Sequence, residues 1–458
     1  MAGIGFEIRK MLAPASWHGT LRAYAYAGII SSGPWIISIV SIILLNALLQ
    51  PLISESERTL FSTIVTHAYA LALILTGALQ FVLNRYAADR LSARDRMGIL
   101  PSCVAALVLT AFLSLGAGGV LFGLLMPEPV GVRLGAISLF VYVSLIFVCA
   151  NYLGVLQNYR GVVFGFACGY AVGCAAAWFG ATRWGVTAAL AGFAAGHLVL
   201  FVLLFGALRR ELSGGAELAS WSFLGHFRRY PGLALCGFLY NAGIWIDKIL
   251  FWRFSEHNIR VSGALRASLE YDLSIYLSLL SIVPGMAVFF LRLETDFAAC
   301  FERFFDATNR GGTLGDIEAR KADMVDSLRS GFAQLVSVQA VVTLSLLIYG
   351  QRIAEWLGIG AIQAGIFRVT LVGAFLLILF LAMLTILFYL DDRRGALVSC
   401  AVFALGNAGL SFATLRANEA WYGFGFVVAA GVAMFIAAWR VNARLARFEY
   451  RVFAAAGA

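Results

Sequence analysis

Twelve long apolar runs organise this sequence, and nearly all of its charged residues lie between them. A run of about 20 apolar residues crosses the ~30 Å hydrocarbon core of a bilayer as a helix, because only a helix satisfies its own backbone hydrogen bonds there. With 61% hydrophobic and 13% charged residues, a soluble protein with a single core is excluded. The sequence therefore predicts an all-α polytopic membrane protein. We place the spans at roughly 21–49, 60–83, 98–126, 134–155, 161–181, 185–208, 233–253, 269–291, 331–350, 367–390, 395–415 and 421–440.

The distribution of basic residues predicts the orientation of these spans. Of the 34 Lys and Arg residues, 24 lie in segments on one side of the predicted spans and nine on the other, while Lys248 lies inside a span. The side with the excess is expected to face the cytoplasm, so both termini are predicted there. This topology also explains the net charge of +9, and no basic soluble face typical of nucleic-acid binding is visible.

The sequence contains no pattern typical of a metal or redox site. Its seven cysteines are scattered without a C-x-x-C pair, and its five histidines do not form H-E-x-x-H. We expect the cysteines to be small buried apolar residues, and we predict neither a metal nor a cofactor.

The chain divides near its middle into two halves of six spans. An amphipathic basic stretch precedes the first span of each half, at residues 6–10 and 221–229, and the first of these suits a short helix on the inner leaflet. Parallel repeats of this kind are common in carriers with alternating access. The predicted domains are an N-terminal six-helix lobe (1–208), a cytoplasmic inter-lobe loop (209–232) and a C-terminal six-helix lobe (233–458) with a cytoplasmic amphipathic loop (292–330).

The N-terminal residues resemble a known family. The opening MAGIGFEIRKML and the segment LRAYAYAGIISSGPW, Leu21 to Trp35, are similar to the inner-membrane transporters of the Pel exopolysaccharide system. That family belongs to the polysaccharide-transporter branch of the multidrug/oligosaccharidyl-lipid/polysaccharide (MOP) flippase superfamily. The resemblance implies two six-helix lobes around a central cavity and export of an N-acetylated aminosugar polymer across the bacterial inner membrane. It also implies a complex with a cytoplasmic glycosyltransferase and small membrane-anchored subunits.

A charged pair inside the seventh span, Asp247–Lys248, is the strongest candidate for the translocation path. A charge at that depth normally faces water or a partner. Neighbouring helical residues point about 100° apart, so we expect the two side chains to occupy different faces. Carboxylates, an amide and aromatic rings together suit a sugar. The path candidates are Tyr240, Asn241, Trp245, Asp247, Lys248, Glu270, Tyr271 and Asp272.

Two other interpretations of this pair stay open. Lys248 is equally suited to an interhelix ion pair with Glu270 or Asp272 that only fixes packing. It is also long enough to extend its ammonium group to the outer interface.

Three further polar features are weaker. Gly33–Pro34 lies in the middle of the first span and removes a helix hydrogen bond, so it predicts a bend and is our hinge candidate, with a static kink as the alternative. His67 and His197 lie within spans and are interpreted either as titrating groups or as buried, hydrogen-bonded residues. Asp391–Asp392 resembles half of a metal-diphosphate motif, but the adjacent Arg393–Arg394 favours a solvated turn.

The loop 292–330 contains an apolar helical face. Leu293, Phe297, Cys300, Phe301, Phe304 and Phe305 recur at helical spacing, and the stretch from Leu293 to Ser330 has a net charge of −3. An acidic amphipathic element suits a protein partner better than an anionic lipid surface. Our partner-docking candidates are therefore Phe297, Phe301, Phe304 and Phe305, and the alternative is a helix that packs on its own lobe. Gly311–Gly312 is expected to separate this helix from a second one.

Other functions compete with polymer export. A small-solute antiporter or lipid-linked-glycan flippase of the same superfamily is one alternative, but the first six spans lack the deep carboxylate that ion coupling would use. A non-transporting scaffold for a synthase is another. An enzyme is not expected, because no loop is long enough to form a soluble catalytic domain.

Overall fold

The structure is a computed structural model that describes residues 17–212, 218–356 and 360–456. The N-terminal stretch predicted to lie on the inner leaflet falls outside the described residues. The helices are α1 (Trp17–Leu49), α2 (Glu55–Ser92), α3 (Ile99–Gly118), α4 (Val130–Val155), α5 (Tyr159–Glu211), α6 (Leu224–Arg229), α7 (Pro231–Phe254), α8 (Leu269–Leu280), α9 (Val283–Leu291), α10 (Ala298–Asn309), α11 (Leu314–Trp356), α12 (Ala361–Tyr389), α13 (Arg393–Ala417), α14 (Phe424–Leu445) and α15 (Phe448–Ala456).

The prediction of twelve spans is confirmed in its essentials. Within the described ranges, eleven helical segments are long and apolar enough to cross a membrane. One of them, α5, has 53 residues, or about 80 Å at 1.5 Å per residue, which is more than two crossings of the hydrocarbon core. Its backbone leaves helical geometry at Trp184 and Gly185, where the glycine has a φ of 66°. Since each arm makes one crossing, the two arms are the predicted spans 161–181 and 185–208.

The two arms of α5 pack against each other through glycines. A Cβ atom added to Gly196 would lie 2.2 Å from the Cα of Gly173, far inside van der Waals contact. The small residues let the two backbones approach closely, as is common between helices in a membrane. The break at Gly185 and this close packing together make α5 a helical hairpin.

The chain forms two compact units. The first unit is Gly33–Leu269, and the second unit is Met1–Ser32 together with Glu270–Ala458. This division differs from the predicted lobes, because α7 belongs to the first unit. It packs on α2 where Gly77 and Gly237 meet, and a Cβ on Gly237 would lie 2.1 Å from the Gly77 carbonyl oxygen. Hydropathy does not reveal such a glycine contact, so the sequence assigned α7 to the half in which it lies along the chain.

A β-hairpin in the first unit departs from the all-helical expectation. Strands β1 (Ile259–Ser262) and β2 (Leu265–Ala267) pair antiparallel in the segment that follows α7. Gly263 turns the hairpin with a φ of 55°, and the Ala264 N–H donates a 3.0 Å hydrogen bond to the Leu125 carbonyl. The hairpin is thereby fixed on the residue that follows the π-helical turn Gly119–Leu124, which continues α3.

In the second unit, the predicted cytoplasmic loop 292–330 is almost entirely helical. A π-helical turn, Arg292–Phe297, joins α9 to α10, so one apolar helical segment runs from Leu269 to Asn309. The chain turns at Gly311, which has a φ of 75°, and α11 begins at Leu314. The predicted break at Gly311–Gly312 is confirmed. The loop is corrected to two extensions of the helices on either side of it.

Candidate functional site

Helix α7 carries a buried charged pair in the first unit. Asp247 is 0% and Lys248 1% exposed. The ammonium group of Lys248 donates a 2.7 Å hydrogen bond to the Ile244 carbonyl and lies 3.3 Å from Oδ1 of Asp247. The expectation that the two side chains occupy different faces was wrong, because the four-carbon Lys side chain is long enough to reach its neighbour's carboxylate. The two opposite charges compensate each other inside a span.

Aromatic rings lie beside this pair. The Lys248 ammonium is 5.5 Å from the centroid of the Trp245 ring, which is cation–π distance. Trp245 and Trp252 have ring centroids 6.3 Å apart, and Trp252 stacks at 4.2 Å on His67 of α2. These rings and the charged pair form what we call the α7 cluster: His67, Trp245, Asp247, Lys248 and Trp252.

Two other predicted path residues lie on α7. Asn241 is buried, and its amide donates a 2.9 Å hydrogen bond to the Gly237 carbonyl one turn earlier. The same side chain lies at the contact of α7 with α2, because a Cβ on Gly77 would be 2.7 Å from its Nδ2. Tyr240 is half-buried. Asn241 therefore helps to pack the two helices, whatever further role it has.

The remaining path candidates belong to the second unit. Glu270 and Asp272 are half-buried in the first turn of α8, where the helix dipole stabilises negative charge, and Tyr271 is buried. The ion pair of Lys248 with Glu270 or Asp272 stays a prediction.

Hydroxyl side chains that the sequence did not single out attach α8 to α12. Ser274 donates 2.9 Å to the Gln363 carbonyl, and the Ser278 and Thr370 hydroxyls are 2.6 Å apart. All these bonds form inside the second unit. They place the first turn of α8, with its two carboxylates, in a fixed position within that unit.

A second polar network, missed at the sequence level, crosses the first unit. The hydroxyl of Tyr69 lies 2.6 Å from Nε2 of His197 and is also hydrogen-bonded to the hydroxyl of Tyr170. Nδ1 of His197 is 2.8 Å from the Phe193 carbonyl, which can only accept, so Nδ1 carries the proton and Nε2 accepts from Tyr69. His197 is thus a buried, hydrogen-bonded residue, one of its two interpretations. The sequence feature that could have revealed this network is that Tyr69, Tyr170 and His197 are polar rings isolated within apolar runs.

The hinge candidate coincides with the division between the compact units. Pro34 lies inside α1, and the units separate between Ser32 and Gly33. Pro34 has no N–H to donate to the preceding turn, and Ser38 adds a 2.8 Å hydrogen bond to the Pro34 carbonyl. Movement at this point stays a prediction.

The predicted partner-docking face packs inside the second unit. Phe297 and Phe304 are 0% exposed. Phe297 contacts Tyr389 with centroids 5.4 Å apart, and Phe304 contacts Phe448 of α15 at 5.2 Å. Phe301 and Phe305 extend the same cluster, at 5.3 Å from Tyr389 and 6.2 Å from Phe448 respectively. The alternative interpretation, a helix packed on its own lobe, describes these rings, and docking of a partner stays a prediction.

The Asp391–Asp392 turn is not simply solvated, which corrects the sequence interpretation. Asp392 is buried, caps α13 through a 3.1 Å bond from the Gly395 N–H, and accepts two 2.9 Å hydrogen bonds from Arg440. Arg444 also donates to this carboxylate. Burial opposes ionisation, but the bonds from Arg444, Arg440 and Gly395 outweigh it and hold the pKa of Asp392 below its ordinary value. Both arginines lie about 50 positions away, so the pattern around Asp392 did not predict them.

The sequence and the fold are both similar to those of known membrane transporters. The sequence profile of the PelG family, exopolysaccharide exporters (EPS-E), matches residues 1–453. No curated protein sequence matches the chain. The fold is similar to that of an outward-facing multidrug transporter of the MATE family in the MOP superfamily, with a TM-score of 0.66, 13% identity, and coverage of 93% of this chain and 96% of that one. A MOP superfamily transporter from Pyrococcus furiosus gives a TM-score of 0.65, 13% identity, and coverage of 92% and 96%.

Proposed function

We propose that this chain, which belongs to the PelG family of exopolysaccharide exporters, moves an N-acetylated aminosugar polymer across the bacterial inner membrane. Family membership and the MOP fold make it a multi-pass membrane transporter. The nature of the polymer, the N-in and C-in topology and the absence of catalytic activity are our proposals. They rest on the N-terminal resemblance, the distribution of basic residues and the lack of a soluble domain in the sequence.

The α7 cluster is the observation that supports a sugar path best. A sugar presents hydroxyls that need hydrogen-bond partners and C–H faces that pack on aromatic rings. The cluster supplies both kinds of contact on adjacent turns, in Asp247, Lys248, Trp245 and Trp252. The two opposite charges leave the cluster neutral, so it can contact a polymer without holding it through a strong net charge. We propose that these side chains line the path or its gate.

A double-variant comparison separates this role from simple packing. Lys248→Met and Asp247→Asn are made singly and together, and folded protein and secreted polymer are scored separately. If the cluster lines the path, each single variant lowers export at near-normal protein level, and the double variant does not restore it. If the pair only packs, each single variant strands a buried charge and lowers protein level, and the double variant restores level and export. The predicted interhelix ion pair is tested with the same two readouts. Lys248→Met is combined with Glu270→Gln in one double variant and with Asp272→Asn in another.

The matched control for these variants lies on the same helix. Phe238 of α7 is 41% exposed, so Phe238→Leu changes an apolar side chain without altering charge or the buried cluster. It should leave both protein level and export unchanged. Full export by both single charge variants would remove the cluster from the mechanism.

We further propose that the chain works with a cytoplasmic glycosyltransferase and small membrane-anchored subunits. The proposal rests on the N-terminal resemblance, and it distinguishes an exporter from a scaffold. Sealed vesicles that contain the synthase, with and without this chain, should release polymer across the membrane only when the chain is present. Polymer that crosses the membrane equally well without the chain would identify a scaffold.

The small-solute antiporter is the second candidate. It would couple transport to an ion through a polar group in the first six predicted spans, α1 to α5, where the Tyr69–Tyr170–His197 network is the nearest to a deep polar site. Because this network holds no carboxylate, we favour polymer export.

A further inference from the structure

The turn between α12 and α13 contains a cavity of about 290 Å³. Asp391, Asp392, Arg393, Arg394 and Arg444 line it, and all five residues belong to the second unit. Its volume is close to the lower end of the ~300–1,000 Å³ usual for small-ligand sites, so it suits a headgroup rather than a long chain. Because α12 and α13 are both candidate membrane spans, the turn that joins them lies at a membrane surface.

The two carboxylates of the cavity are already paired with arginines. Arg393 binds Asp391 through two hydrogen bonds of 2.7 and 2.8 Å. Asp392 accepts from Arg440 and Arg444 and also from the Gly395 N–H. These bonds fix the orientation of the Arg393, Arg440 and Arg444 guanidinium groups. They also occupy the acids, so the cavity does not fit a metal ion, and its acidic pair is not a metal-diphosphate motif.

The lining of the cavity carries more positive than negative charge. Three arginines and two aspartates line the cavity, for a net charge of +1. Arg394 is exposed and has no ion pair with any side chain that the structure describes. The cavity therefore presents the guanidinium of Arg394, which binds neither lining carboxylate, beside arginines that those carboxylates hold in place.

We propose that this cavity binds a phosphate oxyanion, the group shared by anionic phospholipid headgroups and soluble phosphate. The planar donor fork of arginine matches phosphate oxygens and forms charge-assisted hydrogen bonds with them. Basic pockets at the ends of membrane helices are suited to anionic headgroups, because the acyl chains can stay in the bilayer. The N-terminus of α13 is not the source of this site, since Asp392 already caps it.

Thermal unfolding of the full chain in a neutral detergent tests the proposal. The protein is titrated separately with inorganic phosphate, with phosphatidylglycerol and with zwitterionic phosphatidylcholine, and an apparent Kd is taken from the rise in Tm with ligand concentration. Phosphatidylglycerol or phosphate should raise Tm in a saturable way, and phosphatidylcholine should do so much more weakly.

Two variants with opposite expected effects make the test specific. Arg394→Gln removes a donor without an ion partner and should weaken binding roughly tenfold, the loss of about one charge-assisted hydrogen bond. Asp391→Asn removes a negative charge from the rim and releases Arg393, so it should tighten binding. Asp391 has a φ of 49°, which Asn tolerates. Arg447→Gln is the control: it removes an equal charge from an exposed residue of the turn after α14 that does not line the cavity, and it should leave Kd unchanged.

The ligand arms identify the source of the phosphate. Saturable stabilisation by phosphatidylglycerol alone assigns a lipid headgroup, stabilisation by inorganic phosphate alone assigns a soluble ligand, and stabilisation by both assigns a site open to either. Each of these results supports the proposal when the Arg394 and Asp391 variants shift Kd in opposite directions. Failure of both ligands to stabilise the protein, or the same Kd for Arg394→Gln and Arg447→Gln, would overturn it.

Discussion

The phenol oxygen of Tyr69 lies 2.6 Å from Nε2 of His197, although the two residues are 128 positions apart. The hydroxyl of Tyr170, on the first arm of α5, is hydrogen-bonded to the same oxygen. One hydroxyl therefore connects α2 to both arms of the α5 hairpin inside the first unit. Because the site is buried, loss of this hydroxyl would leave an imidazole nitrogen without its donor.

Tyr69→Phe should destabilise the protein by about 1–3 kcal/mol, the usual cost of leaving a buried polar atom unsatisfied. A lower Tm in detergent is the expected readout. Tyr142→Phe is the matched control, since Tyr142 is half-buried on α4 and makes no hydrogen bond through its hydroxyl with the described residues. Equal Tm values for the two variants would show that the network adds no stability.

The Asp392–Arg440 pair should make stability depend on pH. The pKa of Asp392 is held below its ordinary value, so the folded state favours the carboxylate. The stabilisation is then complete above the unfolded pKa of about 3.9 and is lost as the pH falls through the lower folded value. Asp392→Asn should cost about 1–3 kcal/mol at neutral pH, and its Tm deficit relative to the parent protein should shrink only below about pH 4.

Asp391→Asn is the control for this pH dependence. Asp391 is 57% exposed, so its pair with Arg393 should contribute less than about 1 kcal/mol. Its Tm should follow that of the parent protein across the titration. A deficit for Asp392→Asn that stays constant from pH 7 to pH 3 would show that the ionised carboxylate is not the stabilising form.

Apolar length and charge distribution were sufficient to predict the helices that cross the membrane. The break in α5 is a clear case, since Arg183 interrupts the apolar run and Gly185 supplies the backbone conformation that the turn needs. Hydropathy did not predict the contact of α7 with α2, because that contact depends on which faces bear Gly77 and Gly237. The hairpin β1–β2 was missed because its seven strand residues are few and carry no strong alternation.

In the candidate site too, the sequence revealed individual residues but not the contacts between helices. Asp247 and Lys248 were found because a charge inside an apolar run is visible in the sequence. His67 of α2 was not assigned to the same cluster, because its stacking on Trp252 depends on how two helices pack. The burial and pairing of Asp392 were not predicted for a related reason. Local sequence showed Arg393 and Arg394 beside it, whereas the residues that hold its carboxylate, Arg440 and Arg444, come from α14.

Phe304→Ala should destabilise the second unit, because the ring is buried against Phe448. The expected loss is about 3–5 kcal/mol, as for other buried Phe side chains, and it should appear as a lower Tm and less folded protein. Phe435→Ala is the control, since Phe435 on α14 is 70% exposed. The amount of glycosyltransferase that co-purifies, divided by the amount of folded chain, should be the same for both variants. An unchanged Tm together with lost co-purification would instead assign the ring to partner docking.

The predicted topology, with both termini in the cytoplasm, is tested by cysteine labelling of intact cells. Ser56→Cys and Ala420→Cys lie in segments predicted to face the periplasm, and Ala93→Cys and Glu318→Cys lie in segments predicted to face the cytoplasm. All four positions are exposed, so a difference in labelling reports the side of the membrane rather than burial. A membrane-impermeant thiol reagent should label the first two and spare the others until the cells are opened, with the parent protein giving the background of its seven native cysteines. The physical basis is the excess of 24 basic residues over nine on the predicted cytoplasmic side. Labelling of Ala93→Cys and Glu318→Cys in sealed cells would reverse the orientation.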